Sequence, residues 1–173
     1  MRIGIDISQI AHERTGVATY IRRMVDTLLK LDTKNEYVLF GASLRKQNVF
    51  KEYRGKAKLV VVPIPPTILS FLWNTLHIIP IETFTGPLDI FWSSDWTQPP
   101  LRHANGVTTI HDVTPMLFPK EMDKRIVKTH KRRLHWVQKE CQAIFCDSES
   151  TKKDVTELFR IPPEKLRVIY PGL

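Results

Sequence analysis

An α/β domain built on a mainly parallel sheet is the fold this sequence predicts, and three observations carry the expectation. Seven short runs rich in β-branched and other apolar residues recur along 173 residues, with helical stretches between them. Apolar residues in those intervening stretches repeat at helical spacing. Polar clusters fall just after four of the strand candidates, and in a parallel sheet such clusters share the carboxyl edge, where ligands bind.

The strand candidates are, in order, 2–7, 37–40, 59–62, 90–92, 107–110, 143–146 and 166–170. After the first, Val17, Tyr20, Ile21, Met24, Val25, Leu28 and Leu29 form one apolar stripe while Arg22, Arg23 and Asp26 fall off it, which predicts a helix over about 16–31. Segment 63–80 is apolar and flanked by prolines. There Leu69, Leu72, Trp73 and Leu76 recur at helical spacing, as in a core-facing helix, the alternative being a surface that grips lipid or an apolar acceptor. It is too short to cross a bilayer, which takes about 20 apolar residues.

The fifth candidate decides most. Val107, Thr108, Thr109 and Ile110 favour a strand, and Pro115 and Pro119 forbid its simple continuation, so His111 and Asp112 emerge at its carboxyl end. A helix over about 122–141 follows, burying Ile126, Val127, Leu134 and Val137 and displaying Lys124, Arg125, Lys128, Lys131, Arg132, Arg133 and Lys139. A last helix starts at Ser148 or Ser150, where serine suits an N-cap, and ends at Leu158 or Phe159 before Ile161, Pro162 and Pro163. Pro171 and Gly172, just past the seventh strand, signal a turn or hinge with further chain beyond it.

The composition, 42% hydrophobic and 25% charged, is that of a globular domain and excludes a disordered chain. A net charge of +8 suits anionic partners: nucleic acid, acidic lipid headgroups or phosphorylated ligands. No recognition motif or basic stripe interleaved with aromatics supports nucleic acid, so the basic helix is either a solvated face or a surface for anionic membrane. The amino end lacks a secretory signal, which points to the cytoplasm, on the membrane's inner face if peripheral. Cys141 and Cys146 lack further zinc ligands and read as inert thiols.

The four polar clusters are 8–16, Ser93 to Asp95, His111 with Asp112, and Asp147 to Ser150. Gly16 opens the first helix, where free N–H groups bind phosphate or carboxylate, although a tight turn alone would also place a glycine there. The three-glycine dinucleotide pattern and the P-loop are absent, which argues against an NAD enzyme or a P-loop ATPase. His111 can orient a hydroxyl or neutralise a phosphate, while Asp112 either holds the imidazole or caps the following loop. No two-histidine ligand motif and no nucleophile elbow occurs, so neither a metal nor another cofactor is expected.

Five pieces in register now carry a resemblance: residues 2–7; Thr15-Gly16-Val17-Ala18-Thr19-Tyr20; Thr108-Thr109-Ile110-His111-Asp112-Val113-Thr114-Pro115; Cys146-Asp147-Ser148-Glu149-Ser150; and 161–172. Together they resemble the N-terminal half of group 1, family four, retaining glycosyltransferases. The resemblance implies a GT-B enzyme of two Rossmann-like domains, with residues 1–173 the single acceptor-side domain, ending at the interdomain hinge. The nucleotide-sugar domain would be absent, and this half alone inactive. By resemblance the parent is a hexosyltransferase, a mannosyltransferase being one option, that moves a sugar from a nucleotide-sugar donor to a glycan or lipid-linked acceptor without metal, in cell-surface polysaccharide or glycolipid assembly. Thr15 and Gly16 would face the donor diphosphate, His111 would hydrogen-bond the transferred sugar, Asp112 would support it, and Asp95, Ser148 and Glu149 would flank the cleft. Many relatives have two glycines where Thr15 and Gly16 stand. The rival reading is a non-catalytic Rossmann-like module that binds a phosphorylated or sugar ligand.

Overall fold

The computed structural model describes residues 1–172, so Leu173, last residue of the expected hinge, lies outside the described residues. Seven strands form one parallel sheet: β1 (Arg2–Asp6), β2 (Glu36–Ala42), β3 (Lys58–Val62), β4 (Ile90–Ser93), β5 (Asn105–Ile110), β6 (Cys141–Cys146) and β7 (Leu166–Val168). Helices α1 (Gly16–Leu31), α2 (Pro66–Ser70), α3 (Glu82–Thr85), α4 (Thr114–Leu117), α5 (Lys124–Glu140) and α6 (Glu149–Phe159) flank it, and the fold is Rossmann-like. The strand order is β3-β2-β1-β4-β5-β6-β7. The chain therefore winds outward from β1 in one direction, returns, and winds outward from β4 in the other. The carboxyl ends of β1 and β4 flank that reversal, the place where open parallel sheets form a crevice.

Burial on both faces explains why the strands read as apolar runs rather than alternating ones. In β2, Tyr37 and Leu39 pack with Ile21 and Val25 of α1, whereas Val38, Phe40 and Ala42 pack with Leu69 and Trp73 across the sheet. Thr15 caps α1 by accepting the Ala18 N–H at 3.2 Å, a contact worth about 1 kcal/mol. A third cluster joins Leu134 and Val137 of α5 to Ile144 of β6 and Val155 of α6. Cys141 and Cys146 lie in it, and burial pushes their thiols up to about 12 and about 11, which keeps them protonated and unreactive near neutral pH.

Four features depart from the sequence expectation. The apolar helix after β3 changes from α to π geometry over Phe71–Leu76, so Leu69 and Trp73 are buried but Leu76 is exposed. β7 ends at Val168 because only three of its residues pair with β6. Short helical turns at Ser8–Ala11, Gln47–Tyr53 and α4 occupy stretches with no predicted element. Arg133, expected on the solvent face of α5, is 2% exposed and faces the sheet.

Candidate functional site

Because the strands are parallel, the four polar clusters do converge on one edge. Asp6, the last residue of β1, is buried, and its Oδ1 accepts the Ser8 N–H at 2.8 Å. Burial pushes its carboxyl above the ordinary range, and nearby Asp95 adds to the effect. Ser8 Oγ in turn accepts the Ala42 N–H at 2.9 Å, tying the end of β1 to the end of β2. After β4, Ser93 Oγ donates to Gln98 Oε1 at 2.6 Å. Arg133 reaches this loop from α5 through Nε, which donates to Ser94 O at 3.1 Å, and Nη2 donates to Thr108 Oγ1 at 2.6 Å and Thr109 O at 3.2 Å. One buried guanidinium thus joins the carboxyl ends of β4 and β5.

His111 stands one residue beyond β5, as expected. Its Nδ1 lies 2.6 Å from Asp147 Oδ2, and the Tyr20 ring meets the imidazole edge-on at 4.9 Å between centroids. Asp112 does not hold the imidazole. Its Oδ1 accepts the Thr114 N–H at 2.8 Å and caps the turn that opens α4, because its side chain is directed into its own loop. Of the two roles open to Asp112 in the sequence, the structure shows the cap, and Asp147 takes the other.

His111 and Asp95 line a small cavity with Asp6, Tyr20, Trp92 and Thr109. Tyr20 and Trp92 also border a groove of about 740 Å³, which runs beside α1 past Gly16 and Arg23 to Ile169 and Tyr170. Gly16, Asp95 and His111 are therefore brought to adjoining hollows. Thr15 is occupied as a cap, its Oγ1 also donating to His12 O at 3.0 Å. Ser148 likewise caps α6 by accepting the Thr151 N–H at 3.1 Å, and Glu149 is exposed in the first turn of that helix. Among the described residues no group of three or more His, Cys, Asp or Glu is placed to hold a metal ion.

Residues missed as site candidates are Asp147, Tyr20 and Arg133. Asp147 belonged to a flagged cluster, but only strand register reveals its partner. Tyr20 was counted in the apolar stripe of α1, and the ring indeed lies there, in T-shaped contact with His111.

A model of glycosyltransferase family 4 matches residues 14–173. The chain belongs to that family. A comparison with curated proteins returns no match. The family match spans Gly16, Asp95, His111, Asp112, Asp147, Ser148 and Glu149, and it leaves out Asp6. In this glycosyltransferase domain Gly16 has no structural reason to be glycine. A Cβ built on it meets no atom within 4 Å, and its φ is not positive. Gly16→Val is accordingly expected to leave the thermal midpoint within about 2 °C while weakening glycosyl transfer by the enzyme that contains this domain at least about tenfold. A matching loss of stability would show that the glycine serves the fold instead.

Proposed function

We propose that this chain is the acceptor-side domain of a retaining, metal-independent GT-B glycosyltransferase whose nucleotide-sugar domain follows it. The observation that carries the reading is the adjacency of His111, oriented beside a strand-end cavity, and the open N-terminus of α1 at Gly16. The helix end offers unbonded N–H groups and the positive pole of its dipole to a diphosphate. His111 hydrogen-bonds a hydroxyl of the transferred sugar. As the donor bond breaks, charge separates into an oxocarbenium-like sugar and a departing diphosphate; the leaving phosphate accepts the acceptor's proton while the acceptor oxygen attacks from the same face. The domain's task is to hold these charges in place rather than to supply a nucleophile.

Division of labour between the domains is testable. Nucleotide release from a panel of nucleotide sugars is expected from the reading frame extended past Leu173 and not from residues 1–173 alone. Turnover by residues 1–173 would overturn the division.

The acceptor we infer is lipid-linked, with the enzyme at the cytoplasmic face of an anionic membrane in polysaccharide or glycolipid assembly. The π-helix packs on α5 through His77, which stacks on Trp136 with ring centroids 3.5 Å apart, and through Arg132 Nη1, which donates to Thr75 Oγ1 at 2.7 Å. That contact sets exposed Phe71, Leu76 and Ile78 beside the helix carrying exposed Lys124, Arg125, Lys128, Lys131 and Lys139. Left-handed backbone at His77 and Ile79, φ 53° and 65°, flanks the outward-turned Ile78. Apolar side chains bordered by cations suit insertion at an anionic lipid surface. Among the described residues no helix is long and apolar enough to cross a membrane. Flotation with vesicles is expected to show binding that rises with phosphatidylglycerol content, falls with salt, and drops at least about fivefold in Phe71→Asp with Leu76→Asp. Absence of binding at low salt would overturn the membrane reading.

A further inference from the structure

We propose that Asp147 is a positioning residue for His111: it holds the imidazole as the Nδ1–H tautomer and leaves Nε2 as a hydrogen-bond acceptor toward the cavity. The proposal deepens the transferase reading and takes its catalytic meaning from it, but the bond that carries it stands on geometry alone.

Register builds the pair. In the parallel ladder Ile110 of β5 lies opposite Cys146 of β6, so the next residue on each strand, His111 and Asp147, emerges opposite the other. Both side chains are short and largely buried, 16% and 20% exposed, and the 2.6 Å contact needs no flexible arm to close it. A carboxylate accepts, so the proton between them belongs to Nδ1. Two further contacts fix the ring's setting: Thr151 Oγ1 donates to His111 O at 3.3 Å, and the Tyr20 ring abuts the imidazole. Nε2 has no partner among the described residues, and His111 lines the cavity shared with Asp95 and Thr109.

The alternative, that Asp147 merely stabilises the turn into α6, leaves two facts without a cause. Ser148 already caps that helix. The second carboxylate oxygen of Asp147, Oδ1, is buried with no hydrogen-bond partner, an arrangement that costs stability. A group retained at such a cost for turn formation alone would do better as asparagine or serine, whereas holding an imidazole tautomer requires an acceptor at Oδ2. The chemical consequence is directional. With the proton on Nδ1, the nitrogen facing the cavity receives a hydrogen bond from a sugar hydroxyl and does not donate to a carbonyl or phosphate oxygen.

Long-range proton–nitrogen correlation spectra of the 15N-labelled chain report the tautomer directly. At about pH 8, well above the ordinary histidine range, the signals of the six histidines are sorted by the loss of one set in His111→Gln. His111 is expected to show a protonated Nδ1 and an unprotonated Nε2, and Asp147→Ala is expected to move the proton to Nε2. A proton on Nε2 in the unaltered chain overturns the proposal whether or not the variant folds, and so does an unchanged tautomer in a folded Asp147→Ala. The spectrum needs no nucleotide sugar. Its failure would leave the transferase reading intact, and a silent two-domain enzyme would leave the tautomer intact.

Discussion

On the proposed two-domain reading, replacing His111 with alanine in the enzyme that carries both domains is expected to lower kcat by about 10²- to 10³-fold, the range seen when one oriented hydrogen bond to a charge-developing centre is removed. The substitution deletes an imidazole that lines the cavity shared by Asp6, Tyr20 and Asp95. KM for the donor is expected to change by less than about threefold, because on the proposed reading the diphosphate sits at the start of α1, the nucleotide in the second domain, and the lost contact matters chiefly as charge develops. His111→Asn, which keeps a short polar side chain, should recover part of the loss. Equal falls in kcat for His111→Ala and Asp112→Ala would contradict the geometry, since Asp112 bonds the Thr114 N–H and not the imidazole. A variant that loses donor affinity without losing kcat would move His111 from the reacting centre to a binding surface.

The second large effect concerns stability. Arg133→Ala is expected to cost about 3–5 kcal/mol, read as a lowered urea midpoint. Arg133 is 2% exposed, and its donors satisfy Ser94 O, Thr108 Oγ1 and Thr109 O. Alanine removes the donor from each of these oxygens, Thr108 Oγ1 keeping only its own bond to Ser93 O, and leaves a cavity under the sheet edge. No carboxylate lies within ion-pair distance of it among the described residues. Burial pulls the guanidinium below its ordinary range and the field of Asp95 opposes the shift, so the buried charge is held by carbonyl and hydroxyl oxygens. Arg133→Met restores volume without donors and is expected to recover under half of the loss. A cost below about 1 kcal/mol for the alanine variant would mean that the residue turns outward in solution.

The strands were legible because most are runs of apolar or β-branched residues, with the central ones β1, β2, β4 and β5 largely buried on both faces, so no subtle periodicity had to be resolved. Helix α1 was legible to its ends, since the stripe from Val17 to Leu29 and the glycine that opens the helix agree; the Thr15 cap was visible only in the structure. Arg133 was misread because charge was taken as exposure. Its phase carried the correct signal: it lies four residues before Val137 and beside Leu134, both buried. The π-helical turn had no such signal, because the same spacing that suits an α-helix puts Leu76 outside when the turn widens. The site divides similarly. The strand-end positions of Asp95 and His111 follow from strand prediction alone. Pairing His111 with Asp147 rather than Asp112 depends on the β5–β6 register, which local sequence does not encode.

The most direct test of the central claim is a proton NMR time course of nucleotide-sugar turnover by the proposed two-domain enzyme in the presence of a chelator. A retaining, metal-independent transferase predicts that nucleotide is released from one donor and that the first sugar product keeps the donor's anomeric configuration. An inverted product, or release that stops when divalent ions are removed, would contradict it.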